Sequence, residues 1–237
     1  MANPLFFKEP VPLNAVEHLA ATYIAPPSYE FAAKTNSVPV AIAEFEQLAV
    51  NYPIVFSSTD QPTCTPIAVL GHKDNENNFV NNKGTWTIGK YIPAYVRRYP
   101  FVFAENEENL ILCIESEYIG EPGEGQNLFE SNSEQSQIIK TALDFCKDYQ
   151  AAMLQTADFI AFLKTNNLLV DQQVNIDMGN GEAFSLGGFS IINRDLYNEL
   201  EDDKDSTISS AYRSAMHSHF VSMSSWQNFS TPLPTAE

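Results

Sequence analysis

The chain has 237 residues, 44% of them hydrophobic, with 30 acidic side chains against 13 basic ones and a formal net charge of -17. That length suffices for one large domain with its own core. The acidic balance argues against binding to nucleic acid or anionic membranes, which needs clustered Lys and Arg to release counterions. No run approaches the roughly 20 apolar residues of a membrane helix.

Residues 1 to 37 form an irregular opening arm, broken by Pro10, Pro12, Pro26 and Pro27, because proline removes a donor and disfavours helix before it. The opening Met1 to Lys8 has no basic stretch followed by an apolar core, so no signal peptide is expected. Residues 38 to 50 place Val40, Ile42, Phe45, Leu48 and Ala49 at helical spacing, with Glu44 and Glu46 on a solvated face, and predict a short amphipathic helix. Asn51-Tyr52-Pro53 ends it. Ile54-Val55-Phe56 and Ile67-Ala68-Val69-Leu70 are β-branched and aromatic runs around a polar loop, the pattern of a hairpin.

The same order recurs. Tyr91 to Arg98 is a helical turn, Tyr99-Pro100 ends it, and Phe101-Val102-Phe103 and Leu110 to Ile114 flank an acidic turn at Ala104 to Asn109. Two copies are too few for a solenoid. They predict two equivalent hairpins in one sheet system. Between them, Trp86 and Ile88 alternate with threonines and predict a short strand.

Residues 119 to 136 are acidic and rich in Gly, Ser and Asn, hence a loop. A long helix follows from about Ser136 to Lys164. Val170 to Asp177 alternates as a strand, Gly179-Asn180-Gly181 turns, Ala183 to Leu186 returns, and Gly187-Gly188 bends the chain into a third strand at Phe189 to Asn193. A short helix at Asp195 to Leu200 and a charged loop at Glu201 to Asp205 come next. A last helix spans Thr207 to Met223, with a frayed tail from Ser224.

Chemistry-bearing residues are sparse. Cys64, Cys113 and Cys146 are far apart and odd in number, which suits reduced, buried thiols in a cytoplasmic protein and no zinc site. Asp177 to Glu182 is too short for a calcium loop, and no phosphate-cradling glycine loop or nucleophile elbow occurs. His217 and His219 stand two apart on a helix and point in opposed directions, so they share no metal. His219 falls on the apolar face, as a core histidine would. Arg97-Arg98 is the adjacent basic pair of an acidic chain. It either binds an anion or pairs with Glu105, Glu107 and Glu108 nearby. Tyr91, Tyr95 and Tyr99 offer faces on which Arg stacks. These six residues, Arg97, Arg98, Tyr91, Tyr95, Tyr99 and His219, are the candidate ligand-binding set. No catalytic residue, cofactor or metal is indicated.

The run Gly89-Lys90-Tyr91-Ile92-Pro93-Ala94-Tyr95-Val96-Arg97-Arg98-Tyr99-Pro100-Phe101, with Phe79-Val80-Asn81 and Trp86 before it, resembles the central signature of the bacterial SapC family. Glu44-Phe45 with Tyr52 to Phe56, Ala142-Leu143-Asp144-Phe145, Phe184 to Phe189 and His219 to Met223 are similar to that family too, as is Val11-Pro12-Leu13-Asn14. The resemblance spans about residues 10 to 224. It implies a link to bacterial surface layers and an accessory role in capturing or modifying a nutrient or peptide, beside outer-membrane receptors and flavin-dependent tryptophan halogenase-like proteins. The peptide-permease label of some members conflicts with a chain that lacks a membrane-length apolar run. The resemblance supplies no catalytic residues.

The expectation is therefore a soluble, cytoplasmic α+β protein, antiparallel β hairpins packed with a long central helix and a C-terminal helix. It forms a single domain over 1–237, with any subdivision at the loop 119–136. Its expected function is non-enzymatic: a binding or accessory protein with a protein or peptide partner. The alternative is an enzyme, or an enzyme's partner, acting on an amino acid or peptide, with Tyr, Arg and His219 converging in a pocket. A subunit that only builds oligomers is a third.

Overall fold

A computed structural model describes residues 3–57, 64–106, 109–177, 183–202 and 207–229. The opening arm is more ordered than its prolines suggest. It contributes the strands β1 (Pro10–Pro12), β2 (Thr22–Tyr23) and β3 (Ser37–Pro39). The two that carry proline suit the proline rule, because β1 and β3 are edge strands, where a missing donor leaves no ladder bond unmade. The helix expected over 38 to 50 is shorter for the same reason. Val38 pairs with the strand around Ala68, a 3₁₀ turn occupies Ile42–Glu44, and only α1 (Phe45–Ala49) is α-helical.

The first Tyr-Pro pair launches β4 (Ile54–Ser57), which pairs antiparallel with β5 (Pro66–Val69). The second follows α2 (Ala94–Arg97) and launches β6 (Phe101–Asn106), which pairs with β7 (Asn109–Glu115). Both hairpins form, but they do not share a sheet. Strand β7 is captured by the arm strand β1, giving the order β1-β7-β6. Glu115 fixes that capture. It is a buried residue of β7, not the loop acid its sequence neighbours suggest, and its carboxylate accepts from the Lys8 and Glu9 N–H groups. Trp86 makes a single bridge to Val80, and Ile88 is exposed, so no strand forms there.

The segment 119–136 is not wholly loop. It carries β8 (Ile119–Gly120) and β9 (Gln126–Asn127), which flank β2. A Cβ on Gly125 would lie 2.2 Å from the Tyr23 carbonyl oxygen, so this ribbon closes only around glycine. The long helix is α3 (Gln137–Thr165). Its 29 residues span about 44 Å. Ile139, Ala142 and Cys146 near its start pack with Phe101, Leu112 and Ile114 in a smaller core. Phe159, Ile160 and Leu163 near its end join Phe45, Tyr52, Ile54 and Phe56 in a larger one.

Strands β10 (Leu169–Asp177) and β11 (Ala183–Ile192) pair and extend the larger sheet to the order β10-β11-β4-β5-β3. The third strand expected after Gly187-Gly188 is a continuation of β11. The register slips between Gln172 and Val174, so Gly187 and Gly188 together face Gln173, and Gly188 takes φ +78°. That is a bulge with glycine in its left-handed position. Helices α4 (Arg194–Asp202) and α5 (Ser210–Ser222) follow. The Ser209 hydroxyl caps α5 by accepting from the Tyr212 N–H. The end expected to fray is a 3₁₀ helix over Met223–Phe229, with Ser225 and Phe229 buried. The remaining expectations, the turn at Gly179-Asn180-Gly181, much of the polar loop after Ser57, the tip of the acidic turn after Asn106 and most of the charged loop after Glu201, lie outside the described residues.

No helix among the described residues is long and apolar enough to cross a membrane. The architecture is α+β: antiparallel sheets with a long helix and a C-terminal helix packed against them.

Candidate ligand-binding site

The segment from Tyr91 to Phe103 is where the cores meet. Tyr95 and Val96 belong to the larger core, Tyr99 and Val102 to a small cluster with Phe7, and Phe101 to the core under the three-stranded sheet. Side chains pointing away from all three line what remains between them.

The first Tyr-Pro region holds this segment in place. The Asn51 side-chain oxygen accepts from the Tyr91 N–H at 2.9 Å, and the Tyr52 hydroxyl donates to the Tyr91 carbonyl. Both backbone groups of Tyr91 are thus engaged from one direction. Glu44 holds the next turn. Its Oε1 accepts from the Tyr91 hydroxyl at 2.9 Å and from the Ala94 N–H at 2.6 Å. Glu44 is only 6% exposed, against the solvated face the sequence suggests. The Ala94 N–H is one of the donors that the first turn of α2 leaves free, so a buried carboxylate there both caps the turn and meets its own hydrogen-bond demand.

Arg97 extends this network. Its Nη2 donates to the Tyr91 hydroxyl at 2.8 Å and lies 3.9 Å from Glu44 Oε1. Its Nε donates to the Ile92 carbonyl, and its plane lies over the Tyr91 and Phe145 rings. Burial, with the Glu44 charge next, pushes the Tyr91 phenol up to about 12, so it stays a neutral donor to the carboxylate. Arg97 is 41% exposed, and a pair this open contributes little stability of its own.

Arg98 is arranged differently. It is partly buried, 4.0 Å from the Tyr95 ring centre and 5.1 Å from that of Tyr149. Among the described residues no acceptor engages its guanidinium, and its Nε is buried with no hydrogen-bond partner; the expected pairing with Glu105, Glu107 or Glu108 falls on side chains outside the described residues. Buried polar groups in native proteins are nearly all bonded, which makes this one informative. Two cavities adjoin the side chain. The larger, about 370 Å³, is walled by Arg97, Arg98, Tyr99 and Phe101 on one side. Tyr23 and Gln126 of the β2–β9 ribbon and the first turns of α3 close the other sides. The smaller, about 160 Å³, lies between Arg98, Phe103, Tyr149 and Met153.

Cys146 borders both cavities. Burial raises its thiol to about 11 in spite of the Arg98 charge, so the unreactive thiol form prevails there. Tyr99 stacks on Phe31 at 4.1 Å and donates to Glu117; burial raises its phenol well above the ordinary range.

The structure thus places Arg97, Arg98 and Tyr99 on the wall of the larger cavity, sets Tyr91 and Tyr95 outside its lining as packing partners of the two arginines, and leaves His219 elsewhere. His219 is fully buried in the larger core. Its Nδ1 donates to the Ile54 carbonyl at 2.9 Å and its Nε2 accepts from the Ile192 N–H at 3.1 Å. Ladder pairing of β11 with β4 is recorded at Phe189–Ser57 and Ser190–Phe56. Carried two residues further, that register would set Ile192 opposite Ile54. The imidazole sits in the gap, bonded to both chains, and Ser222 completes the splice by accepting from the Ile54 N–H. Both ring nitrogens are therefore committed to backbone. No group of three or more His, Cys, Asp or Glu among the described residues could hold a metal.

The SapC family model matches residues 13–229, over nine-tenths of the chain. The chain belongs to the SapC family. No curated protein and no solved structure matches it. The SapC match encloses both Tyr-Pro hairpins and every residue of the cleft, while β1 lies just ahead of it.

Sequence patterns missed two members of this SapC site. Glu44 looked like any acid on a short helix, and Tyr149 like one aromatic among many on α3. Their partners lie 50 and 54 positions away, at Ala94 and Tyr95, and no local period encodes such distances.

Proposed function

We propose that this SapC protein is a non-enzymatic binding protein, and that its ligand sits in the cleft beside Arg98. A single observation carries this: a guanidinium packed against two tyrosines, with no acceptor among the described residues, on the wall of a cavity of ligand size. The alternative, an enzyme acting on an amino acid or peptide, needs His219 beside Tyr99 and Arg97, whereas His219 gives both nitrogens to the backbone of β4 and β11. An accessory protein that captures a nutrient or a peptide, as the family resemblance implies, would use such a cleft directly.

A protein-observed NMR screen of a small-molecule fragment library tests this. The expected result is a set of hits that shift the Phe101 and Phe145 resonances and fall away in Arg98→Met. Hits scattered over the surface, or unchanged by that substitution, would defeat the proposal.

A further inference from the structure

Resting on the cleft proposed above, its occupant has a chemistry that the lining dictates. Arginine binds anions through the N–H donors at the edges of its plane, while aromatic rings pack against it. Tyr95 and Tyr149 pack against Arg98 at 4.0 and 5.1 Å, the two rings inclined at 69° to each other. Its fork of N–H donors has no acceptor among the described residues and matches the two coplanar oxygens of a carboxylate.

Charge points the same way. The chain carries 30 acids and 13 bases, yet among the described residues the larger cavity is lined by two arginines and by no Asp or Glu. The first turn of the 29-residue α3 forms another wall and has no acidic residue in it. Nearby Glu44 answers Arg97 from outside the cavity lining, leaving Arg98 as a cation with no anion beside it among the described residues.

The rest of the lining limits the ligand's body. Phe101, Ile138, Ala142 and Phe145 present apolar surface, and Gln126, Gln137 and Thr141 supply neutral donors and acceptors. A dianion such as a phosphate ester would bring two charges to one free guanidinium amid apolar walls, a poor balance of desolvation against pairing. A monoanion with an apolar body fits both halves. The volume of about 370 Å³ is at the small end for ligand pockets, which favours a free small molecule over a length of peptide.

We infer that the cleft binds a small aromatic or aliphatic monocarboxylic acid, its carboxylate on the Arg98 fork and its body against Phe101, Ile138 and Phe145. The test is calorimetric titration of the full chain with 3-phenylpropionate, its primary amide, phenyl phosphate, and a tripeptide ending in a free-acid phenylalanine. The acid should bind about tenfold to a hundredfold more tightly than the amide, the range a charge-assisted hydrogen bond is worth, and should lose that advantage in Arg98→Met. Thr141 is exposed at the cavity wall, so Thr141→Trp should block the acid while leaving the core intact, which covers the case of a misfolded Arg98 variant. Equal affinity for acid and amide, tighter binding of phenyl phosphate, binding of the peptide alone, or undiminished binding to both variants overturns the inference. If none of these probes binds but Arg98-dependent fragment hits exist, the carboxylate assignment fails and the cleft stands. If no fragment of any kind engages the cleft, both fail together.

Discussion

Asn51 stands before Tyr52 and Arg98 before Tyr99, and from that difference the two Tyr-Pro regions part. Around the first, polar groups are closed on one another. Asn51 accepts from Tyr91, its carbonyl accepts from the Asn228 side chain, and the Tyr52 hydroxyl both donates to Tyr91 and accepts from Trp86. Tyr52 itself is fully buried. Around the second, Tyr99 is packed against Phe31 and Phe7, but the residue before it, Arg98, borders the cleft and finds no acceptor among the described residues. One motif serves as a joint in both places. Only the second joint is left with an unmet demand, and the first supplies the clamp that holds it in position. Recognition here is therefore built on a segment fixed from behind rather than on a free loop, which lowers the ordering cost of binding.

The comparison breaks most visibly at His219, which closes the strand launched by the first joint. His219→Ala would strip the donor from the Ile54 carbonyl and the acceptor from the Ile192 N–H in a sealed core and leave a cavity, at about 3–4 kcal/mol. Chemical denaturation of the variant should show that loss, and a loss under about 1 kcal/mol would mean the ladder closes without the imidazole. The same residue gives a pH signature. Burial lowers its imidazole to about 4, below the ordinary 6.5, so the fold favours the neutral ring. Its contribution is complete above about pH 6.5 and is lost as pH falls towards 4, about 3 kcal/mol in all. Wild type should lose more stability across that window than His219→Gln, which cannot titrate; matching slopes would refute the assignment.

Next in size is Glu44, which serves the second joint. Glu44→Ala would leave the Tyr91 hydroxyl and the Ala94 N–H without their acceptor, at about 2–3 kcal/mol. It should also loosen α2, so that hydrogen exchange at Val96 and Arg97 accelerates while exchange in β4 does not. Acceleration in both regions alike would mean that the two joints are not separable. Smaller still is the contrast between the tyrosines. Tyr52→Phe removes a hydroxyl with two buried partners and should cost about 1–2 kcal/mol. Tyr99→Phe frees Glu117, whose side chain reaches solvent, and the half-buried Tyr118 hydroxyl, and should cost under about 1 kcal/mol. Paired melts of the two variants decide this, and a reversed order would overturn the contrast.

What could be foreseen in the sequence follows the range of the interaction. Each Tyr-Pro hairpin, the long helix and the last helix were legible because turn residues and apolar periods are local. Which sheet a hairpin joins was not, because β7 finds β1 across a hundred positions through the Glu115 carboxylate, and β4 finds β11 through an imidazole. The edge strands at Pro10–Pro12 and Ser37–Pro39 were hidden by a rule applied too broadly: proline breaks central strands and is tolerated at edges. The candidate residues divide the same way. Tyr91 to Tyr99 could be grouped since they share one segment, whereas the burial of Glu44 and the splice made by His219 exist only once distant backbones meet.

The smallest expected change in stability concerns the most revealing side chain. A charge that is partly buried and unpaired contributes little to folding, and its replacement by an apolar group of similar length is often neutral or mildly stabilising. Arg98→Met keeps a flexible apolar stem beside Tyr95 and Tyr149, gives up three cation–π contacts, with Tyr95, Tyr149 and Phe7, of at most about 0.5–1 kcal/mol each, and removes the desolvation of a guanidinium that has no acceptor among the described residues. The net shift should lie within about 1 kcal/mol of zero. The equivalent substitution at the first joint, Asn51→Met, would instead release the Tyr91 N–H from its acceptor and should destabilise by about 1–2 kcal/mol. A thermal melt of the two variants side by side measures the difference. If Arg98→Met proves as damaging as Asn51→Met, Arg98 is part of the joint and its free donors have a structural use. If it melts like wild type, the chain keeps an arginine there for something other than its fold.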